Sequence, residues 1–358
     1  MTMAKKSLNV LLISPLPPPA GGIASWTKQY IEWSNDNYLN VEIVNTAVTG
    51  KRAKKINSST RLLDEIKRTK DIINDLINKI NQFKPNIIHL NTPCGKFGIF
   101  RDYFCARISK KSGVKLFVHY RCNIEDQLGN KAISGYFLKK IANIADVNLV
   151  LNSSSKEYLQ SISNCESTMV TNFINDDFLL RGYKNIKDEI KIISFVGHIQ
   201  RSKGIFEIID TARKLPGVTF KLAGPVALEI NKVEKPPNII FMGLLTKQEI
   251  KELLIESDIF LFPSHTEGFS NAMLEAMALG LPIIATPVGA NIDMIESSGG
   301  IIVEINDSIG IVDAINSMKE LKVRLKISRW NVEKVKNEYT TEKVMNKLIA
   351  LYSNEIYK

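Results

Sequence analysis

Residues 267–282 read EGFSNAMLEAMALGLP and place two glutamates, Glu267 and Glu275, on either side of a predicted helix start. Ser270 and Asn271 are favoured helix N-caps, the run that follows has high helix propensity, and a glycine and a proline end it. Glu267 therefore lies in the loop before the helix, and Glu275 lies about one and a half turns inside it.

A helix start between two carboxylates suits an anionic ligand that carries hydroxyl groups on both sides. The amides of residues 268–271 and the positive end of the helix dipole attract phosphate, and the carboxylates accept hydrogen bonds from hydroxyls. A nucleotide sugar has this chemistry. The alternative is a loop carboxylate beside a helix dipole and a glutamate on a helix surface, and the spacing alone does not decide between the two.

Length and composition describe a soluble globular protein of two domains. The chain has 358 residues, of which 44% are hydrophobic and 23% charged, and no apolar run reaches the roughly 18 residues that a membrane span needs. The four cysteines form no C-x-x-C pair and no zinc-like spacing with the four histidines. Free thiols fit a reducing compartment, so we expect a cytoplasmic protein.

The positive charge is concentrated in the first half of the chain. Residues 1–180 hold 24 Lys and Arg against 15 Asp and Glu, whereas residues 181–358 hold 23 against 22. This excess predicts an anionic partner such as a phosphorylated acceptor, an anionic membrane surface or nucleic acid. The basic segment lacks interleaved aromatic residues, which disfavours nucleic acid. We expect peripheral membrane association, although a merely solvated helix face is the alternative, and the main contributors would be Lys51, Arg52, Lys54 and Lys55.

Short apolar runs alternate with helical patterns along the whole chain, with a polar break at residues 175–189. Such alternation predicts an α/β protein with two Rossmann-like domains, whose parallel sheets face a cleft. We place the domains at residues 1–178 and 179–339, and residues 340–358 form a final helix that packs back on the first domain. The predicted strands are residues 10–14, 41–45, 87–91, 115–120, 147–152, 168–173, 191–197, 219–224, 238–243, 259–264, 281–286 and 300–305.

Other candidate site residues also follow predicted strands, where ligands bind in open α/β sheets. Gly21 and Gly22 form a loop that opens the first helix, although a tight turn is the simpler reading of a lone Gly-Gly pair. His119 ends a strand, but a lone histidine is more often structural, and the same holds for His89.

The loop that follows residues 191–197 carries a stronger signal, because Arg201 and Lys203 oppose the dipole of the helix they precede. Cations at a helix start make sense if a diphosphate binds there.

The run IFLFPSHTEGFSNAMLEAMALGLPIIAT resembles the signature of the retaining GT-B glycosyltransferases of glycosyltransferase family 4. That signature is a glutamate, seven residues and a second glutamate, between a strand-Pro-Ser and a Gly-x-Pro-strand. The Gly-Gly loop, the strand-ending histidine, the Gly-x₅-Lys-Gly loop and the C-terminal helix agree with it. The resemblance is strongest over residues 191–290 and implies a GT-B fold.

The resemblance also implies roles for individual residues. Glu275 would hold ribose hydroxyls, Glu267 would face the transferred sugar, and Lys203 would neutralise the leaving diphosphate. His119 would lie beside the sugar and Gly22 under the phosphates. The family usually has arginine after Gly197, where this chain has His198, so Arg201 is expected to supply that cation. Amides that would contact sugar and phosphate are those of Gly268, Phe269, Ser270 and Asn271.

Together these observations predict a cytoplasmic retaining glycosyltransferase that uses a UDP- or GDP-linked sugar and a saccharide or lipid-linked acceptor in cell-surface polysaccharide biosynthesis. No Asp-x-Asp occurs, so neither a metal nor another cofactor is expected. Two alternatives stay open, a nucleotide-sugar 2-epimerase of the same fold and a non-catalytic protein that binds a sugar nucleotide. The base, sugar, acceptor and linkage are not specified by the sequence.

Overall fold

The computed structural model describes residues 8–18, 21–35, 37, 39–48, 62–95, 98–128 and 132–357. The chain divides into two compact units, one formed by residues 1–172 with 344–358 and the other by residues 173–343. Lys51, Arg52, Lys54 and Lys55, to which the expected membrane contact was assigned, lie outside the described residues. Within the described part, no helix combines the length and the apolar character needed to cross a membrane.

The first unit is built on a six-stranded sheet. Its strands are β1 (Leu8–Ser14), β2 (Leu39–Asn45), β3 (Ile87–Thr92), β4 (Lys115–Tyr120), β5 (Val147–Val150) and β6 (Ser167–Met169). Its helices up to residue 172 are α1 (Gly22–Asn35), α2 (Leu62–Phe83), α3 (Gly98–Lys111), α4 (Ile124–Leu128), α5 (Ala132–Ile144) and α6 (Ser153–Ser163). Every side chain of β3 is buried, as expected for a strand covered on both faces.

The second unit repeats this architecture. Its strands are β7 (Ile192–Val196), β8 (Thr219–Ala223), β9 (Ile239–Gly243), β10 (Ile259–Phe262), β11 (Ile283–Ala285) and β12 (Gly300–Ile302). Its helices are α7 (Ile205–Lys214), α8 (Lys247–Glu256), α9 (Asn271–Ala278), α10 (Asn291–Ile295), α11 (Ser308–Ser317) and α12 (Leu321–Lys334). A π-helical turn over Val335–Tyr339 follows, and the chain ends in α13 (Thr341–Ile356).

The strand orders show where each sheet offers a crevice at the carboxyl ends of its strands. All strand pairs in the described part of the chain are parallel, which confirms the predicted fold class, and each of the twelve predicted strands is present. The orders are β2-β1-β3-β4-β5-β6 and β12-β11-β10-β7-β8-β9. Successive strands are therefore added towards one edge of the sheet and then towards the other. The change lies between β1 and β3 in the first unit and between β7 and β10 in the second. At such a point the loops leaving the carboxyl ends diverge and open a crevice for a ligand.

The unit boundary lies a few residues earlier than the division expected at residue 178. The backbone N–H of Ile174 donates to the carbonyl of Tyr339 at 2.8 Å, and Ile174 pairs with Thr340 in an isolated parallel bridge. The segment from Phe173 is therefore part of the second unit. Sequence pattern could not reveal this pairing, because it joins residues more than 160 positions apart.

The C-terminal helix supplies core residues to the first unit from Val344 onward. Tyr352 is completely buried, and its hydroxyl lies 2.5 Å from His89 Nδ1. Its ring also meets that of Phe117 edge-on, with the ring centroids 4.9 Å apart. His89 is thus held in the core of this unit, and burial lowers the pKa of its imidazole to about 3. The structural interpretation of this histidine fits these contacts.

A completely buried arginine, Arg324, fixes the start of the second unit against α12. Its Nε donates to the carbonyl of Met318 at 2.7 Å, and its Nη1 and Nη2 donate to those of Lys187 and Asp188 at 2.8 and 2.6 Å. The guanidinium therefore satisfies backbone oxygens of two segments, one just before β7 and one just after α11.

We predict that Arg324→Met lowers the free energy of unfolding by at least about 3 kcal/mol, because several buried carbonyls lose a charged donor. Urea denaturation followed by circular dichroism measures this effect. The matched control is Arg329→Met on the exposed part of the same helix, for which a change within about 0.5 kcal/mol is expected. Equal stabilities of the two variants would show that Arg324 has no such role.

Candidate active site

The candidate site of the second unit lies where its strand order reverses. One loop leaves β7 and runs from Gly197 to a short 3₁₀ turn over Arg201–Lys203, and the other leaves β10 and runs to α9. His265 in the second loop donates its backbone N–H to the carbonyl of Ser202 in the first, at 3.0 Å. The two neighbouring strands thus deliver their loops to one place, and the loops are hydrogen-bonded to each other.

Lys203 and Glu267 meet in this place. Their side chains form an ion pair between Nζ and Oε1, with 21% and 13% of their surfaces exposed. The hydroxyl of Ser264 donates to the same carboxylate oxygen at 3.0 Å. The residue expected to face the sugar, Glu267, and the residue expected to neutralise the diphosphate, Lys203, are therefore in direct contact, in a position that solvent still reaches.

Two glycines allow the backbone to pack closely enough for this contact. Gly204 has a φ of 73°, and a Cβ there would lie 2.0 Å from the carbonyl oxygen of Pro263. Gly289 has a φ of 55°, and a Cβ there would lie 2.1 Å from the carbonyl oxygen of Glu267. Any side chain at either position would displace the loop that carries the ion pair. The sequence analysis missed Gly289, because nothing in its local pattern shows which distant backbone it meets.

The start of α9 has the expected cap. The Ser270 hydroxyl accepts the backbone N–H of Met273 at 3.1 Å, and Asn271 is the first helical residue. The Gly268 carbonyl accepts the N–H of Ala290 at 3.1 Å, which fixes the loop from its other side. Phe269 is buried and lies edge-on to Tyr339, with the ring centroids 5.9 Å apart. The loop before α9 is therefore held in one conformation by contacts within its own unit.

Glu275 lies on the second turn of α9 and is only partly exposed. Burial raises the pKa of its carboxyl to about 7, and the positive charge of Lys247 opposes that shift. The carboxyl therefore changes its protonation state near neutral pH. The sequence analysis treated it as an ordinary carboxylate, because local sequence does not report the burial of a helix residue.

Arg201, expected to supply a second cation beside Lys203, has other contacts. Its guanidinium lies over the ring of Phe206, 4.3 Å from the ring centroid, and its backbone N–H donates to Glu229 at 3.0 Å. It forms no ion pair with any residue that the structure describes. Gly197 follows β7, its N–H donates to the carbonyl of Ala223 at 2.9 Å, and His198 beside it is exposed.

A second pair beside Lys203 was not anticipated. His265 Nε2 lies 3.2 Å from Glu207 Oε1, which joins the loop after β10 to the first turn of α7. His265 is part of the quoted signature run, but the distance of Glu207 in sequence gave no signal for the pairing. The described residues contain no group of three or more His, Cys, Asp or Glu side chains placed to hold a metal ion.

His119 and Gly22 lie in the first unit. His119 is completely buried at the end of β4, and its Nε2 donates to the carbonyl of Val170 at 2.9 Å, because a carbonyl can only accept. Burial and the nearby Arg121 keep the pKa of His119 well below its usual range, so the ring is neutral. Gly22 is exposed and begins α1, where the N–H of Ser25 donates to the carbonyl of Gly21 at 2.9 Å.

Comparisons with known proteins agree with this architecture. Residues 177–334 match the protein family described as Glycosyl transferases group 1. The capsular polysaccharide biosynthesis glycosyltransferase CapM of Staphylococcus aureus is 23% identical over 358 aligned residues, which cover 90% of this chain and 92% of CapM.

Solved structures show the same fold at low sequence identity. Sucrose-phosphate synthase from Thermosynechococcus elongatus superposes with a TM-score of 0.79 and 15% identity, over 98% of this chain and 99% of that one. Anabaena HepE in complex with UDP-glucose superposes with a TM-score of 0.72 and 14% identity, over 97% and 100% of the two chains. The chain therefore has the GT-B fold of these structures, and residues 177–334 match the Glycosyl transferases group 1 family.

Proposed function

We propose that the protein is a retaining glycosyltransferase of family 4 that transfers a sugar from a nucleoside diphosphate sugar to a saccharide or lipid-linked acceptor. The observation that carries this proposal is the Lys203–Glu267 pair at the strand-order reversal, just before the start of α9. Two similar proteins also support the proposal. CapM is named for capsular polysaccharide biosynthesis, and HepE has been crystallised in complex with UDP-glucose. We place this protein in cell-surface polysaccharide biosynthesis on the same grounds.

Lys203 stabilises the negative charge that develops on the diphosphate as the bond to the sugar breaks. An incoming diphosphate replaces Glu267 as the partner of the ammonium group and frees the carboxylate to accept hydroxyls of the sugar. The amides at the start of α9 add hydrogen bonds and the helix dipole. Because these groups are already fixed before the reaction, they need little reorganisation as the charge develops.

Glu275 binds the ribose of the donor through its carboxylate, one turn and a half along α9. The carboxylate accepts hydrogen bonds from two neighbouring hydroxyls, whereas the protonated acid accepts fewer and donates one. Both UDP- and GDP-linked sugars carry this ribose, so the proposal does not distinguish the base. Gly22 is proposed to lie under the phosphates and His119 beside the sugar. Arg201 is proposed as a second cation for the diphosphate.

A panel of UDP- and GDP-sugars in a thermal-shift assay tests the proposed donor class. A sugar nucleotide at 100 times its Kd stabilises the folded protein by about 2.7 kcal/mol, so the correct donor separates clearly from the others. Incubation of that donor without an acceptor then separates transfer from epimerisation. A new sugar epimer formed without acceptor would contradict the transferase proposal, and so would the absence of any stabilising nucleotide.

We predict that Lys203→Met lowers kcat/KM by about 10²-fold or more, because the leaving diphosphate loses its fixed cation. The reaction is measured by release of the nucleoside diphosphate. Lys214→Met, at the exposed far end of α7, is the matched control and should stay within a factor of two to three of the wild type. Full activity of Lys203→Met would remove Lys203 from the mechanism.

We predict that donor KM rises as the pH falls below about 7, because Glu275 becomes protonated. Glu275→Gln should have a higher KM that does not change over pH 6–8.

The Glu275→Gln variant also tests the effect of this carboxyl on the stability of the fold. The raised pKa contributes stability below the unfolded value of 4.5, and this contribution is lost as the pH rises through about 7.

Glu275→Gln should therefore be more stable than the wild type at pH 8, by about 2–3 kcal/mol after allowance for partial exposure, and should match it near pH 4. Chemical denaturation at both pH values measures the difference. A stability difference that does not depend on pH would contradict the proposed protonation.

We predict that activity persists in excess EDTA, because Lys203 supplies the positive charge that a divalent ion would otherwise bring to the diphosphate. Initial rates with and without EDTA should agree within a factor of two. Loss of activity in EDTA, restored by Mg²⁺ or Mn²⁺, would contradict this mechanism.

A further inference from the structure

His265 attaches the loop after β10 to the segment that begins α7. Its backbone N–H donates to the carbonyl of Ser202 at 3.0 Å, and its ring Nε2 lies 3.2 Å from Glu207 Oε1. Ser202 and Glu207 lie on either side of Gly204, whose backbone packs against this loop. A single residue of the loop is therefore bound both before and after the place where the two backbones meet.

The side chain of Glu207 has an orientation that stability alone does not explain. Glu207 lies in the first turn of α7, where the helix dipole stabilises a carboxylate. Only 11% of its side chain is exposed, and its Oε2 is buried without a hydrogen-bond partner in the described chain. A carboxylate in solvent would keep the benefit of the dipole and avoid the cost of a buried oxygen without a partner. The inward orientation therefore indicates a role for the contact with His265.

The contact with Glu207 also fixes the state of the His265 ring. An ionised carboxylate can only accept hydrogen bonds, so Nε2 carries a proton and donates to Glu207. A neutral ring in this arrangement has no proton on its other nitrogen, Nδ1. The carboxylate thus selects one tautomer and one orientation of the ring, and the ring in turn restrains the backbone that carries it.

The attachment of His265 bears directly on the position of Glu267. His265 lies two residues before Glu267, and the residue on its other side, Ser264, donates its hydroxyl to the Glu267 carboxylate at 3.0 Å. The carboxylate of the ion pair is therefore held by the short segment 264–267, which the His265 ring attaches to α7.

We propose that Glu207 is a positioning residue of the active site, which acts through the His265 ring to hold Glu267 beside Lys203. The inference rests on the proposed sugar transfer, because that proposal assigns Glu267 to the transferred sugar. Neither Glu207 nor His265 needs to touch the donor in this role. Loss of the pair would leave the fold intact but would let the Glu267 carboxylate move relative to the sugar. A displacement of about 1 Å can reduce catalysis by about 10²-fold.

The test is a double-mutant cycle with Glu207→Met, His265→Ala and the two changes combined, using the donor selected by the thermal-shift panel. Each single change should lower kcat by about tenfold or more, because Glu267 is displaced. The Kd of the nucleoside diphosphate, which lacks the sugar, should stay within a factor of about three. The combined variant should be no slower than the slower single variant, because the two side chains act as one unit. Glu207→Gln, whose amide oxygen still accepts from Nε2, should lose no more than about threefold in kcat.

Asp210→Asn is the matched control on the same helix. Asp210 is exposed and pairs with Arg213, also exposed, so this ion pair contributes little. The kcat of the control should stay within a factor of about two of the wild type. Thermal unfolding of Glu207→Met should give a Tm within about 4 °C of the wild type. A larger fall in Tm would assign Glu207 to the stability of the fold and overturn the positioning role.

The state of the His265 ring can be observed without any turnover. The chain has four histidines, and the NMR signal of His265 is the one that is absent from His265→Ala. Imidazole ¹⁵N shifts at about pH 8.5, where imidazoles are ordinarily neutral, should show a proton on Nε2 in the wild type and in Glu207→Gln. Glu207→Met should show a mixture of the two tautomers. An unchanged ring signal in Glu207→Met would overturn the proposal.

The kinetic outcomes distinguish this inference from the proposed function. A wild type that transfers no sugar from any donor would overturn the proposed function, and the positioning role with it. Transfer by Glu207→Met at the rate of the wild type would overturn the positioning role alone. A combined variant whose loss in kcat equals the product of the two single losses would also overturn it, because the two residues would then act independently.

Discussion

The backbone of Gly204 lies directly against the carbonyl of Pro263, and most features of the second unit's site depend on this contact. A Cβ at Gly204 would lie 2.0 Å from that oxygen, so only glycine permits the approach. The contact brings the loop that follows β7 against the loop that follows β10. Lys203, one residue before the glycine, is thereby placed beside Glu267, four residues after the proline. The chemistry of the site thus depends on a position that carries no side chain.

The buried charges of this protein are compensated to different degrees. Arg324 in the second unit is surrounded by backbone carbonyls and contributes to the stability of the fold. Burial raises the pKa of the Glu275 carboxyl to about 7. The ionised form, which we propose binds the ribose, therefore lowers the stability of the fold above that pH. Among the residues that the structure describes, Arg121 in the first unit has only neutral partners. Uncompensated charge of this kind is typical of binding sites, where stability is reduced locally in favour of the ligand.

The sequence was sufficient to predict the fold, and it singled out two loops of the second unit that the structure brings together. All twelve strands were predicted, because buried parallel strands are short continuous apolar runs that stand out between amphipathic helices. Lys203 and Glu267 were both predicted as site residues, since their loops follow strands and precede helices. The contact between them was not predicted, because it depends on Gly204 and Gly289, whose neighbours are distant in sequence.

Other features could not be read from local pattern. The stacking of Arg201 on Phe206 depends on how a 3₁₀ turn precedes α7, and residue spacing does not report that geometry. The division between the units was expected at residue 178 but lies after Asn172, because of a bridge to Thr340. The burial of Arg121 was also not predicted, because a single arginine near a strand end is usually solvated.

The C-terminal helix has a consequence for the order in which the chain can fold. Residues 173–343 are contiguous, so every core residue of the second unit has been synthesised before Val344 is added. The first unit has most of its residues earlier but lacks Tyr352, which packs against His89 and Phe117 inside it. On a ribosome that adds about 5–20 residues per second, the first unit therefore waits through the synthesis of the whole second unit with its core open. The part of the protein that is made first is the last to be completed.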